Sequence, residues 1–381
     1  MTDDRWPVEK AVEWYETQPW LRGCNFIPST AINQLEMWQA ETFDPETIDR
    51  ELGWAAELGL NAMRVYLHDL VWFQDPVGFK DRIEQYLGVS DRHGIKTIFV
   101  LFDDCWHDNP RLGVQPDPRP GVHNSGWVKG PGTRVLNDQS EWGRLEDYVK
   151  DIVSTYGDDE RVVIWDLYNE PGNNFLVSLK LSVVLRYTIL IGKLIKHLLV
   201  PGPTKQLLRQ AFSWARKANP QQPLTSGLYF LLPSLGARLN PVCLELSDLV
   251  TFHSYFNLKD TERIIADLET SGRPMVCTEY LARSAGNTFE AIMPYFQARK
   301  IGAINWGLVA GKTQTMYSWE DYYPNGKEPP LWFHDILRPD GTPYRQKEKA
   351  LIQESTFGDS HDACTGRKIT SAGKTGGSTT T

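Results

Sequence analysis

Short apolar runs and amphipathic stretches alternate along this chain. Leu21–Pro28 (LRGCNFIP) reads as a strand. Pro45–Leu58 places Ile48, Leu52, Ala55 and Ala56 at helical spacing and ends against Gly59, a helix-stopping residue. The alternation continues with strand Asn61–Leu67, helix Phe79–His93 before Gly94, strand Lys96–Asp104 and helix Glu141–Tyr156. The stretch Arg161–Gly172 (RVVIWDLYNEPG) opens with β-branched residues suited to a strand buried on both faces, and Pro171-Gly172 stops it. Helix Gln206–Ala218 and strand Pro223–Phe230 follow, then strand Asp248–Phe256 and helix Thr261–Thr270. Strand Pro274–Leu281, helix Thr288–Lys300, strand Ala303–Gly311 and helix Arg345–Gln353 complete the series. Eight strands separated by helices predict an α/β chain folded as a (β/α)8 TIM barrel, one domain over residues 1–354. A doubly wound open sheet is the alternative, weakened by the lack of a Gly-rich phosphate loop after the first strand.

Three segments break the rhythm. Residues 107–138 form a long Pro/Gly/Asn/Asp-rich loop, and loops of that length are commonly functional. Residues 174–203 form an anomalous apolar insertion after strand four, interrupted by Lys180, Arg186, Lys193 and Lys196. Arg186, Lys193, Lys196 and His197 share one face at about 100° per residue. Three readings stand: a helix packed on the barrel, a segment foreign to the ancestral fold such as an aberrant splice product, or a membrane-surface helix over 175–200. Residues 355–381 are rich in Ser, Thr, Gly and Lys and predict a disordered tail.

Composition narrows the function classes. With 381 residues and a net charge of −8, the chain lacks the basic excess that nucleic-acid binding requires. Five cysteines at wide spacing, without a C-x-x-C pair, indicate neither a zinc site nor a disulfide framework, and no metal or cofactor is expected. The N-terminus shows no basic-then-apolar leader, so a cytoplasmic location is expected, with secretion by a signal outside this sequence left open. The chain is expected to act as a monomer. Fourteen Trp, 15 Tyr and 15 Phe fit either a core of large rings or ring faces that stack sugars.

The candidate chemistry gathers at strand ends. Glu170 and Glu279 both close apolar strands, the fourth and the seventh, whose C-terminal ends line one barrel mouth. Two carboxylates facing each other there are what glycoside hydrolysis needs, one as a protonated acid and one as an anion. Arg64 on strand two is placed to hydrogen-bond Glu279. His253 and Tyr255 alternate on strand six and are placed to orient Glu279, Asn169 to donate to a sugar 2-hydroxyl, and Trp306 to lie under a sugar ring. Each alone has a plainer reading: an ion pair, a core histidine, barrel packing. Their joint order on consecutive strands favours the site.

WDLYNEP followed by TEY on a later strand resembles clan A of the retaining glycoside hydrolases, most closely glycoside hydrolase family 5 and the cellulase-like and xylanase-like β-glycanases. The resemblance spans about Leu21 to Gln353 apart from the insertion. It implies Glu170 as acid/base and Glu279 as nucleophile, with Asn169, Arg64, His253, Tyr255 and Trp306 on the family's site positions. Where the family carries a His-Asn-type pattern on strand three, this chain reads DDCWH, so Trp106 and His107 enter as further substrate contacts. The implied activity is hydrolysis of β-glycosidic bonds with retention. A catalytically silent sugar-binding barrel and a membrane-associated enzyme acting on a lipid glycoside are the alternatives.

Overall fold

The structure, a computed structural model, describes residues 5–173, 202–321 and 323–356. Eight parallel strands are wound in chain order: β1 (Arg22–Asn25), β2 (Ala62–Tyr66), β3 (Lys96–Asp103), β4 (Val162–Asn169), β5 (Leu224–Gly227), β6 (Val250–His253), β7 (Met275–Glu279) and β8 (Gly302–Trp306). Each pairs in parallel with its neighbour from β5 back through β1 and on through β8 to β6. The remaining seam, β5 to β6, is closed by the Leu228–Phe252 bridge and by Leu228 N donating to Thr251 O at 3.0 Å and His253 N to Leu228 O at 2.8 Å. The chain therefore forms the expected (β/α)8 barrel.

The helices of the outer ring are α1 (Pro45–Glu57), α2 (Pro76–Arg92), α3 (Trp142–Tyr156), α4 (Gly202–Lys217), α5 (Asn240–Leu246), α6 (Leu258–Glu269), α7 (Phe289–Ala298) and α8 (Gln346–Glu354). Local chemistry sets several starts. Asp44 and Asp75 accept from the backbone N–H groups of Thr47 and Gly78, and Pro45 and Pro76 occupy the first helical turn, where a missing N–H costs nothing. Asn257 caps α6 in the same way. The large outer core lies between helices and strands, with Trp38, Trp165, Tyr86 and Phe99 fully buried. A second, smaller core fills the lower barrel with Leu21, Ala62, Ile98, Ile164, Leu249, Val276 and Ile304. Trp14 and Tyr15, on the N-terminal helix Val8–Glu16, pack beneath it.

Several expectations need adjustment. The strands are shorter than the runs read from the sequence, because the last residues of those runs turn into the mouth loops rather than continue the ladder. Tyr255 thus lies beyond β6, and β8 stops at Trp306 before Gly307, which has φ 81°. Helix α5 was not expected: seven residues are too few to show a helical period. The ribbon Phe230–Leu232 with Leu235–Gly236 was not expected either. Residues 202–203, assigned to the insertion by pattern, begin α4. The rest of the insertion, including the membrane-surface segment 175–200, and residues 357–381 of the tail lie outside the described residues. Among the described residues no helix is long and apolar enough to cross a membrane.

Two predictions follow from buried positions. A Cβ at Gly23 would sit 1.7 Å from the Ala62 carbonyl oxygen, across the β1–β2 ladder. Gly23→Ala should therefore lose about 3 kcal/mol or more in urea unfolding, since the clash is with backbone. Glu51 on α1 is fully buried, with Ser29 its one close donor among the described residues, and burial pushes its carboxyl up to about 7. The unfolded carboxyl ionises near 4.5, so between these values the folded chain keeps a proton the unfolded chain has lost. Stability should fall as pH rises through that interval, by about 3 kcal/mol in all. Glu51→Gln should flatten the difference between urea midpoints at pH 5 and pH 8.

Candidate active site

Register brings the chemistry of distant segments to one level of the barrel. Asn25 lies opposite both Arg64 and Trp306, Asp103 opposite Asn169, and His253 opposite Glu279. Ala62, Arg64 and Tyr66 share the inward face of β2 by the two-residue period. On β4 a register irregularity between Asp166 and Asn169 lets both serve the interior despite their odd spacing.

Arg64 is fully buried. Its Nη2 donates to Asp166 Oδ2 at 2.7 Å and to Asn169 Oδ1 at 2.6 Å, and its Nη1 to Glu279 Oε1 at 2.8 Å and Asn25 Oδ1 at 2.9 Å. Burial opposes its charge, but Tyr66, Asp166 and Glu279 outweigh it and hold the guanidinium protonated. Glu279 receives two further hydrogen bonds, from Tyr66 Oη to Oε1 at 2.9 Å and from Tyr255 Oη to Oε2 at 2.7 Å. Burial and the nearby charges raise both phenols far above their usual range, so they are neutral donors.

Glu170 sits just past β4 at φ 43°, a left-handed conformation that costs a non-glycine residue roughly 1–3 kcal/mol. The following turn is pinned by Gly172 N donating to Asp104 Oδ2 at 2.7 Å. His253 Nδ1 lies 2.6 Å from Glu170 Oε1, and Oε2 accepts from Cys105 Sγ at 3.2 Å and from Asn173 Nδ2. Burial pushes the Glu170 carboxyl up, but the contacts to His253 and the donors on Oε2 win, and its titration lies below the usual carboxylate value. Burial, followed by Asp103 and Glu170, keeps the Cys105 thiol neutral.

The expected residues converge, with revised partners. Arg64 and Tyr255 hold Glu279 as anticipated. His253 instead makes its short contact with Glu170 and stands 3.4 Å from Glu279 Oε2, because β6 ends between the two glutamates. Asn169 Nδ2 donates one of its two hydrogens to Asp103 Oδ1 at 2.9 Å. Trp306 is largely buried and meets Tyr66 and Trp127 edge-on at 6.0 and 5.6 Å. Trp106 stacks on His123 with centroids 5.3 Å apart. His107 is used inside the long loop, its Nε2 bonded to Ser125 O at 3.0 Å. The pattern reading missed Tyr66, Asp103, Cys105 and Asp166. Tyr66 was visible as the next inward position after Arg64. Cys105 carried no spacing signal, and Asp166 was hidden by the bulge.

Glu170, His253 and Glu279 each offer a ligand atom within 4.8 Å of the others, the one such cluster among the described residues. A cation held there would lie beside the Arg64 guanidinium, already 2.8 Å from Glu279 Oε1, and would displace the phenol and thiol donors. Those donors already satisfy the two carboxylates without a metal.

No protein-family model and no curated sequence matches the chain. Solved structures do. An exo-β-1,4-mannosidase, Op5Man5, from Opitutaceae bacterium strain TAV5 is 15% identical with TM-score 0.56, covering 90% of this chain and 60% of its own. The β-mannanase of the blue mussel Mytilus edulis is 13% identical with TM-score 0.56, over 88% of this chain and 91% of its own. A GH5_18 variant from Streptomyces cattleya, in complex with Manβ1-4GlcNAc, is 12% identical with TM-score 0.55, over 91% and 82%. At these identities the likeness is one of fold, and the barrel is the fold they share.

Because the His253 contact favours the ionised form of Glu170, His253→Ala should raise the pH at which Glu170 titrates. Carbon-13 NMR of labelled glutamate side chains measures this; an unchanged titration would show that His253 does not set it.

Proposed function

We propose that this site hydrolyses β-glycosidic bonds in oligo- or polysaccharides with retention of configuration. The observation that carries the reading is the close pair at the ends of β4 and β7. Glu170 and Glu279 bring carboxylate oxygens within 4.8 Å of one another, and only one of the two is bound by a buried arginine. Retaining glycosidases separate their carboxyl groups by about 5–5.5 Å, inverting ones by roughly 6.5–9.5 Å to admit a water.

The two environments suit two roles. Glu279, fixed by Arg64, Tyr66 and Tyr255, is an aimed anion. Its free lone pair attacks the anomeric carbon, and the bond to the leaving oxygen breaks. That oxygen takes a proton from Glu170. The 2.6 Å His253 contact favours the carboxylate that this transfer leaves on Glu170. Once Glu279 is esterified its charge is gone, and Glu170 becomes the base that takes a proton from water. Water then attacks the anomeric carbon and Glu279 departs as carboxylate. Two inversions restore the original configuration.

Mannanases and a mannosidase share this fold, so aryl β-mannosides and mannan head the substrate panel, with gluco and xylo counterparts beside them. Glu279→Ala should reduce turnover of aryl β-glycosides by 10⁴-fold or more. Glu170→Ala should lose far less on an acidic phenol leaving group than on an alkyl one, because the phenolate departs without a proton. Substantial turnover by Glu279→Ala would sink the assignment. A wild-type chain that binds oligosaccharide without cleaving it would make the barrel a sugar-binding module instead.

A further inference from the structure

Beside the carboxylate pair the barrel mouth holds a small cavity of about 20 Å³, enough for about one water or hydroxyl. Its walls include Asn25, Tyr66, Trp127, Trp306, Thr315 and Asp335. Two of these walls reach Glu279: Tyr66 donates to it directly, and Asn25 accepts from the Arg64 that holds it. The cavity therefore shares two walls with the groups that fix Glu279.

Asp335 is the unusual wall. It is 1% exposed, yet only one carboxylate oxygen is satisfied, Oδ1 by Thr315 Oγ1 at 2.8 Å. Its Oδ2 is buried and has no partner among the described residues. The residue stands at φ 26°, in the strained left-handed region, and its Oδ1 comes so near Gly307 that a Cβ there would lie 2.4 Å away. Burial raises its carboxyl to about 6 against the Thr315 hydrogen bond. A buried, half-satisfied carboxylate on a strained backbone calls for an explanation, and structural need supplies none: Arg283, the nearby cation, binds the Asp335 carbonyl and the Glu348 carboxylate, not the Asp335 side chain.

We propose that Asp335 and this cavity form a one-hydroxyl subsite, in which the Asp335 carboxylate accepts a hydrogen bond from a hydroxyl or hydroxymethyl group of the sugar ring seated on Glu279. The inference rests on the glycosidase reading for the placement of that ring, and it adds the specificity: one ring position is read by a charged acceptor, against Trp306 and Tyr66. A sugar without a hydroxyl at that position leaves the carboxylate unpaired, which is the costly case.

The test is a set of monodeoxy sugars, as aryl β-glycosides for kcat/KM and as free sugars for calorimetric binding, against wild type, Asp335→Ala and the near-isosteric Asp335→Asn. Thermal melting checks that the variants fold. Wild type should discriminate by about 10- to 100-fold against one deoxy position. In the Asp335 variants that discrimination should shrink to about 3-fold or less, with the other positions unchanged. If the folded variants keep the wild-type pattern at every position, or lose affinity uniformly, the subsite is overturned and the cavity holds only a resident water. A wild-type chain that binds the sugars without cleaving them overturns the hydrolytic reading while the binding arm still decides the subsite. A chain that binds no sugar overturns both.

Discussion

One buried cation organises the mouth of this barrel. Arg64 is fully buried and its charge is balanced by Asp166 and Glu279, with Asn25, Asn169 and Tyr66 accepting its other hydrogen bonds. These partners come from β1, β2, β4 and β7, so the guanidinium ties together strands far apart in sequence. Removing one member of such a buried set leaves the others uncompensated, at a cost of about 3–5 kcal/mol. The arrangement is therefore poor ground for variation and good ground for holding one carboxylate in place.

The asymmetry between the two glutamates follows from that placement. Glu279 shares a cation and two phenols; Glu170 has an imidazole, a thiol and an amide, and no arginine. Both are buried beside each other. In the proposed mechanism Glu170 is an anion once its proton has gone, and the His253 contact favours that form. The strained φ of Glu170 and the bond from Gly172 to Asp104 hold this side chain at the rim, where the strand has already ended.

Much of this was legible in the residues. The eight apolar runs marked the eight strands, and the two glutamates stood out because each closed a run at an end that the barrel directs to the same mouth. Arg64 and Tyr255 were found for the same reason. Features that depend on a departure from regular geometry were not. The bulge in β4 breaks the two-residue period between Asp166 and Asn169, so Asn169 gives no sign that Asp166 faces the same interior. His253 was expected on Glu279, but which of two adjacent carboxylates an imidazole meets is decided by tenths of an ångström between strand ends. Cys105 and Asp335 belong to loops, where no periodicity reports which way a side chain faces. Asp335 in particular gains its meaning only when Gly307, Thr315 and Trp306 are brought around it.

The central claim is that Glu170 and Glu279 act as a retaining pair. Proton NMR of the first sugar released from an aryl β-glycoside tests it most directly, because the new anomeric proton appears before mutarotation mixes the anomers. The geometry at β4 and β7 predicts that the β-anomer appears first and decays to the equilibrium mixture. First appearance of the α-anomer would mean a single displacement by water, and would contradict the account.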